Sequence, residues 1–103
     1  MDPFTIVGQE KTLFDFMKEN GYPVFHKSNM FLRDIQYAIR DYFRTTSGID
    51  IGSRKTDAVA EQFVMDLEKR GMLRPASRHT WILENEAYLK PAKQEEAPAE
   101  ESA

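Results

Sequence analysis

Phe63-Val64-Met65-Asp66-Leu67-Glu68-Lys69-Arg70-Gly71-Met72-Leu73-Arg74-Pro75-Ala76-Ser77-Arg78-His79-Thr80-Trp81-Ile82-Leu83 changes its hydrophobic period halfway along. Before Gly71 the apolar residues Ala60, Phe63, Val64 and Leu67 recur at helical spacing, with Val59 at the edge of the stripe. Lys69 and Arg70 place cations in a last helical turn, where they complement the helix dipole, and Gly71 suits the left-handed residue that ends a helix. Beyond Gly71, Met72-Leu73-Arg74 and Thr80-Trp81-Ile82-Leu83 read as two short strands. Pro75-Ala76-Ser77-Arg78-His79 has the composition of the loop between them. A helix that stops at 70 and doubles back as a hairpin decides the fold class.

Working back from this stretch, Ser53 opens the third helix, which runs to Arg70. A second helix, capped by Ser28 or Asn29, runs to about Thr46, with Phe31, Ile35, Ala38, Ile39 and Tyr42 inward and Phe43 alongside. Thr45-Thr46-Ser47-Gly48 ends it, and Ile49 and Ile51 are expected to anchor the connection to the core. A first helix spans Gln9 to Asn20 on the stripe Leu13, Phe16 and Met17, with Phe14 beside it. Gly21 stops it and Tyr22-Pro23-Val24-Phe25 follows as an extended segment. Tyr88 and Leu89 are placed to pack back onto the domain. The expected class is mainly α (α+β), a three-helix core with a C-terminal β-hairpin.

With 103 residues there is room for one domain. Residues 1–5 read as a cloning leader outside the fold, 6–90 as the domain, and 91–103 as a disordered acidic tail without an aromatic residue. The tail explains the sign of the net charge of −3. Residues 94–103 hold four Glu and no Lys or Arg, so the remainder carries 14 basic and 13 acidic residues, a balance of +1. Such near-neutrality argues against tight, nonspecific binding to nucleic acid.

The chain has no cysteine, which excludes disulfides and thiolate metal sites and fits an intracellular protein, cytoplasmic or nuclear. No apolar run reaches the roughly 20 residues that cross a bilayer. His26 and His79 are the only histidines and have no carboxylate cluster at metal-ligand spacing. Ser28, Ser47, Ser53 and Ser77 all sit at turns or caps, and Gly48 and Gly52 lack phosphate-loop spacing. The expectation is therefore a non-enzyme without cofactor or metal. Trp81, in an alternating strand, is read as a core residue rather than a platform for stacked bases.

The order helix, extended segment, helix, helix, hairpin resembles the winged-helix (winged helix-turn-helix) superfamily over about residues 9–89, most clearly in Leu67 to Leu73 and His79-Thr80-Trp81-Ile82. Asp57-Ala58-Val59, Leu67 to Leu73 and His79-Thr80-Trp81, with Tyr88 downstream, are also similar to the second half of a DEP domain. DEP domains are winged-helix relatives that work mainly through protein and membrane contacts. The first resemblance implies double-stranded DNA as partner and a role in transcription regulation, with helix three in the major groove and the hairpin wing on the backbone. Its candidate DNA-binding residues are Arg54, Lys55 and Thr56 at the start of helix three, Gln62 on its outer face, and Arg74, Arg78 and His79 around the wing. Arg and Lys would neutralise phosphates and Gln62 could pair with adenine. The alternative is a non-catalytic adaptor with a protein partner. Asp57, Glu61 and Asp66 share helix three and repel phosphates, while Ala58 and Met65 give its outer face an apolar component.

Overall fold

The structure, a computed structural model, describes residues 2–88. Helix α1 spans Glu10–Glu19, strand β1 Asn29–Phe31, helix α2 Leu32–Ser47, helix α3 Gly52–Lys69, strand β2 Leu73–Ser77 and strand β3 Thr80–Leu83. The chain is thus mainly helical, with one small antiparallel sheet in the order β1-β3-β2. The expected tail, 91–103, lies outside the described residues, as does Leu89.

The glycine stops fall where the sequence puts them, and those after α1 and α3 close their helices through paired backbone bonds. After α3, Gly71 sits at φ +79°, its N–H donates to the Glu68 carbonyl at 3.1 Å, and the Met72 N–H donates to that of Leu67 at 2.9 Å. After α1, Gly21 and Tyr22 repeat the arrangement on Lys18 and Met17. These bonds satisfy carbonyls that a helix end would otherwise leave open. The connection between α2 and α3 is held by Asp50. It accepts from Arg40 at 2.8 and 3.0 Å and from the Gly52 N–H at 2.9 Å, tying α2 to the first turn of α3.

The largest correction concerns the start of α2. Ser28 and Asn29 do not cap it, for the helix begins at Leu32 after an extended Phe31. Ser28 Oγ instead closes a local turn, accepting from the Phe25 N–H at 3.1 Å and donating to the Phe25 carbonyl at 2.6 Å. Asn29, Met30 and Phe31 pair with Ile82, Trp81 and Thr80. That register turns Met30 into the core and leaves Phe31 43% exposed, so Phe31 leaves the inward stripe assigned to it. Three residues are too few to display a two-residue period, and Phe31 followed by Ile35 mimics a helical repeat.

The hairpin loop is also shorter than expected. Strand β2 continues through Pro75 to Ser77, with an irregularity between 75 and 77, so only Arg78 and His79 turn the corner. Proline is tolerated there because β2 is an edge strand, with no neighbour on its outer side to need an N–H. His79 takes the left-handed conformation, φ +64°, that the turn requires.

The core joins Leu13, Phe14 and Met17 of α1 to Ile35, Ala38, Ile39 and Phe43 of α2, Val59, Ala60, Phe63, Val64 and Leu67 of α3, and Leu73, Trp81 and Leu83 of the hairpin. Phe14, expected only beside the α1 stripe, lies at its centre, edge-on to Phe63 at 5.9 Å and to Tyr88 at 5.4 Å. Phe16 moves to the rim, against Tyr42 at 5.5 Å. Ile51 packs on the core, but Ile49 is 48% exposed and anchors nothing. Residues 3–6, partly within the supposed leader, form a 3-10 turn against α3. Ile6 is buried and Phe4 rests on the core, so apolar burial extends the fold beyond the boundary at residue 6.

Candidate binding groove

The outer side of α3 divides along its length. Asp57, Glu61, Val64 and Glu68 recur at three- and four-residue spacing and so share one edge, which faces the hairpin and the N-terminal end of α2. With Met65, Leu32, Gln36, His79 and Trp81 they line a groove of about 370 Å³. Its floor is apolar, from Val64, Trp81 and Leu32, with the half-exposed Met65 at its mouth, and its α3 wall carries three carboxylates. Glu68 accepts a hydrogen bond from the indole N–H of Trp81, which anchors the hairpin to α3 at that point. Among the described residues, no salt bridge neutralises Asp57 or Glu61. No Lys or Arg lines the groove.

The opposite flank of α3 is different in character. Gln62, Met65, Asp66 and Lys69 border a smaller hollow with Val7, of about 200 Å³, and Lys55 holds its ammonium 5.5 Å from the ring centroid of Phe4. Asp66 is committed to Arg70 at 2.5 Å, and Arg70 in turn grips Glu10 of α1 through two nitrogens at 2.7 and 3.1 Å. These hydrogen bonds from Arg70 lower the pKa of Glu10 and raise that of Arg70.

The seven residues singled out from sequence do not form one surface. Arg54 and Lys55 are exposed in the first turn of α3, and Gln62 is exposed on the flank towards Val7. Thr56 is corrected: it is 3% exposed and its hydroxyl donates to the Gly52 carbonyl at 2.6 Å, so it is a helix-internal residue. Arg74 is exposed but bound to Glu84 at 2.8 Å. Lys27 holds the same carboxylate at 2.5 Å, and the two cations, Lys27 first, depress the Glu84 pKa to about 2. Arg78 and His79 sit at the hairpin tip, beside Phe31 and Arg33 of the neighbouring β1–α2 junction.

Sequence reasoning found Met65 and the two acids Asp57 and Glu61 but not the groove they border. Leu32, Gln36 and Trp81 reach it only through tertiary packing. Glu68 is legible in principle, lying about three helical turns on from Asp57 by way of Glu61 and Val64, whereas the sequence reading names Asp66 as the third acid of the helix. Among the described residues no three His, Cys, Asp or Glu side chains are grouped to hold a metal ion, and no helix is long and apolar enough to cross a membrane.

Fold and groove together define a small α+β domain with a concave surface built by α3, the hairpin and the start of α2. No protein-family model matches the chain, and no curated protein or solved structure matches it.

Proposed function

We propose that this chain is a winged-helix-type adaptor domain that binds another protein through the groove between α3 and the hairpin. The order of its elements, with β1 between the first two helices and the hairpin after the third, supports the winged-helix reading. The observation that carries the protein-binding reading is the composition of that groove: an apolar floor beneath a wall of carboxylates, on the edge of α3 that faces the hairpin. A duplex seated on α3 and the hairpin would bring its phosphates towards Asp57 and Glu61, where like charge opposes binding. An interface with a protein gains instead from covering Met65, which is 52% exposed beside the partly exposed Leu32, over the nearly buried Val64 and Trp81.

Duplex DNA is the competing ligand, and the exposed Arg33, Arg78 and His79 around Phe31 are what speak for it. The two readings separate in titration and capture experiments on the full chain. Duplex DNA at low salt is expected to shift no amide signals at 54–62 or 74–80. A protein captured by the full chain is expected to be lost on Met65→Glu, with the far-UV circular dichroism unchanged because Met65 is on the surface. Salt-sensitive shifts with DNA that vanish in Arg78→Glu would overturn the proposal, as would capture indifferent to Met65→Glu.

A further inference from the structure

We infer that the occupant of the α3–hairpin groove is a cationic amphipathic helix, one that lays an apolar stripe on Leu32, Val64, Met65 and Trp81 and sets Lys or Arg against Asp57 and Glu61. The inference rests on the adaptor reading above and names the chemistry of its partner. Charge complementarity selects the sign. The groove wall holds Asp57, Glu61 and Glu68, no Lys or Arg lines the groove, and Asp57 and Glu61 have no salt bridge among the described residues. The carboxylates that serve the fold are already engaged elsewhere: Glu10 and Asp66 on Arg70, Asp50 on Arg40, Glu84 on Lys27 and Arg74. Asp57 and Glu61 are left over from that internal pairing and flank the floor on one side only.

The apolar part selects an amphipathic partner over a plain basic stretch. Met65 is 52% exposed at the mouth of the groove, and its flexible thioether adapts to varied side chains. Helix-in-groove recognition uses such a floor, reading apolar anchors at three- and four-residue spacing, with flanking charges fixing orientation. The chain's own C-terminal residues 94–103 are a poor match, since they carry four Glu and no cation.

The test is a titration of the isotope-labelled full chain with a synthetic helix of about five turns that has a Leu stripe and Lys flanks. A Glu-flanked twin and a Lys peptide of identical composition but scrambled stripe serve as controls. The Lys-flanked helix is expected to shift signals at 57–68 and 79–81, and both controls to bind at least about tenfold more weakly. Joint Asp57→Lys and Glu61→Lys substitution should weaken it by about tenfold or more, and added salt should weaken it too. Met65→Glu provides the sharpest discrimination. It adds a negative charge, so attraction by charge alone predicts tighter binding, whereas docking on the apolar floor predicts binding about tenfold weaker.

Unchanged or tighter binding in Met65→Glu, equal binding of the scrambled peptide, or no shift in the groove overturns the inference. If any of these occurs while Met65→Glu still abolishes capture of a protein, the adaptor reading stands and only the cationic helix falls. If capture also survives, both fall.

Discussion

Gly71 shows how a single residue sets the boundary between the two halves of this fold. Its backbone lies at φ +79°, and a β-carbon added there would meet nothing within 4 Å. Any penalty on Gly71→Ala is therefore conformational rather than steric crowding. Urea denaturation should show a loss of about 1 kcal/mol, the cost of holding an L-residue in the left-handed region, while Gly71→Asn should recover part of it. Thr56 teaches the opposite lesson about residues. By position in the sequence it belongs with the cations Arg54 and Lys55, yet one step of 100° around the helix takes it from solvent to the core. A three-residue run of polar side chains cannot reveal which member the helix turns inward.

Trp81 ties the hairpin to α3 through its side chain, beside the core packing of Leu73 and Leu83. Trp81 is 9% exposed, packs in the core, and donates its indole N–H to Glu68. Trp81→Phe keeps most of the apolar packing and removes that donor. The variant should lose roughly 1–2 kcal/mol in chemical denaturation, about the worth of one partly buried hydrogen bond to a charged acceptor. Proton signals of the hairpin tip should broaden as well. A cost near zero would mean that the bond is replaced by water without consequence. β3 also carries β1 on its other side, with Leu83 N–H donating to the Ser28 carbonyl at 3.0 Å and Leu32 N–H to that of His79 at 3.0 Å. The hairpin thereby organises the start of α2, and the two elements together build the groove.

Across the whole molecule, separate elements are joined by carboxylates paired with one or two cations. Glu84 bridges Lys27 and Arg74, Glu10 receives Arg70 across the α1–α3 boundary, and Asp50 receives Arg40. All three have pKa values below the ordinary carboxylate range, chiefly through these donors, with Gly52 N–H adding to Asp50. A carboxyl group whose pKa falls on folding stabilises the native state above its unfolded value and loses that contribution on acidification. For Glu84 the window runs from 4.5 down to about 2. Unfolding midpoints measured at several pH values should therefore fall through this range, with a shallower fall in Glu84→Gln. Parallel pH curves for the two proteins would show that this bridge is silent in solution. Because these pairs lie near the surface, added salt should narrow the difference.

Periodicity and punctuation in the sequence determined three helices, their glycine stops and the hairpin after Gly71, because each depends on residues within a turn or two of one another. Trp81 could be assigned to the core for the same reason, by the alternation of its own strand. Only the tertiary structure decided that Asn29–Phe31 is a strand, since its period is too short to see and its partners lie some fifty residues away. It alone placed Phe14 at the centre, Phe31 and Ile49 outside, and residues 3–6 against α3. The groove belongs to that second kind of information. Its walls come from α2, α3 and the hairpin tip, and no local pattern encodes which faces meet when three elements pack.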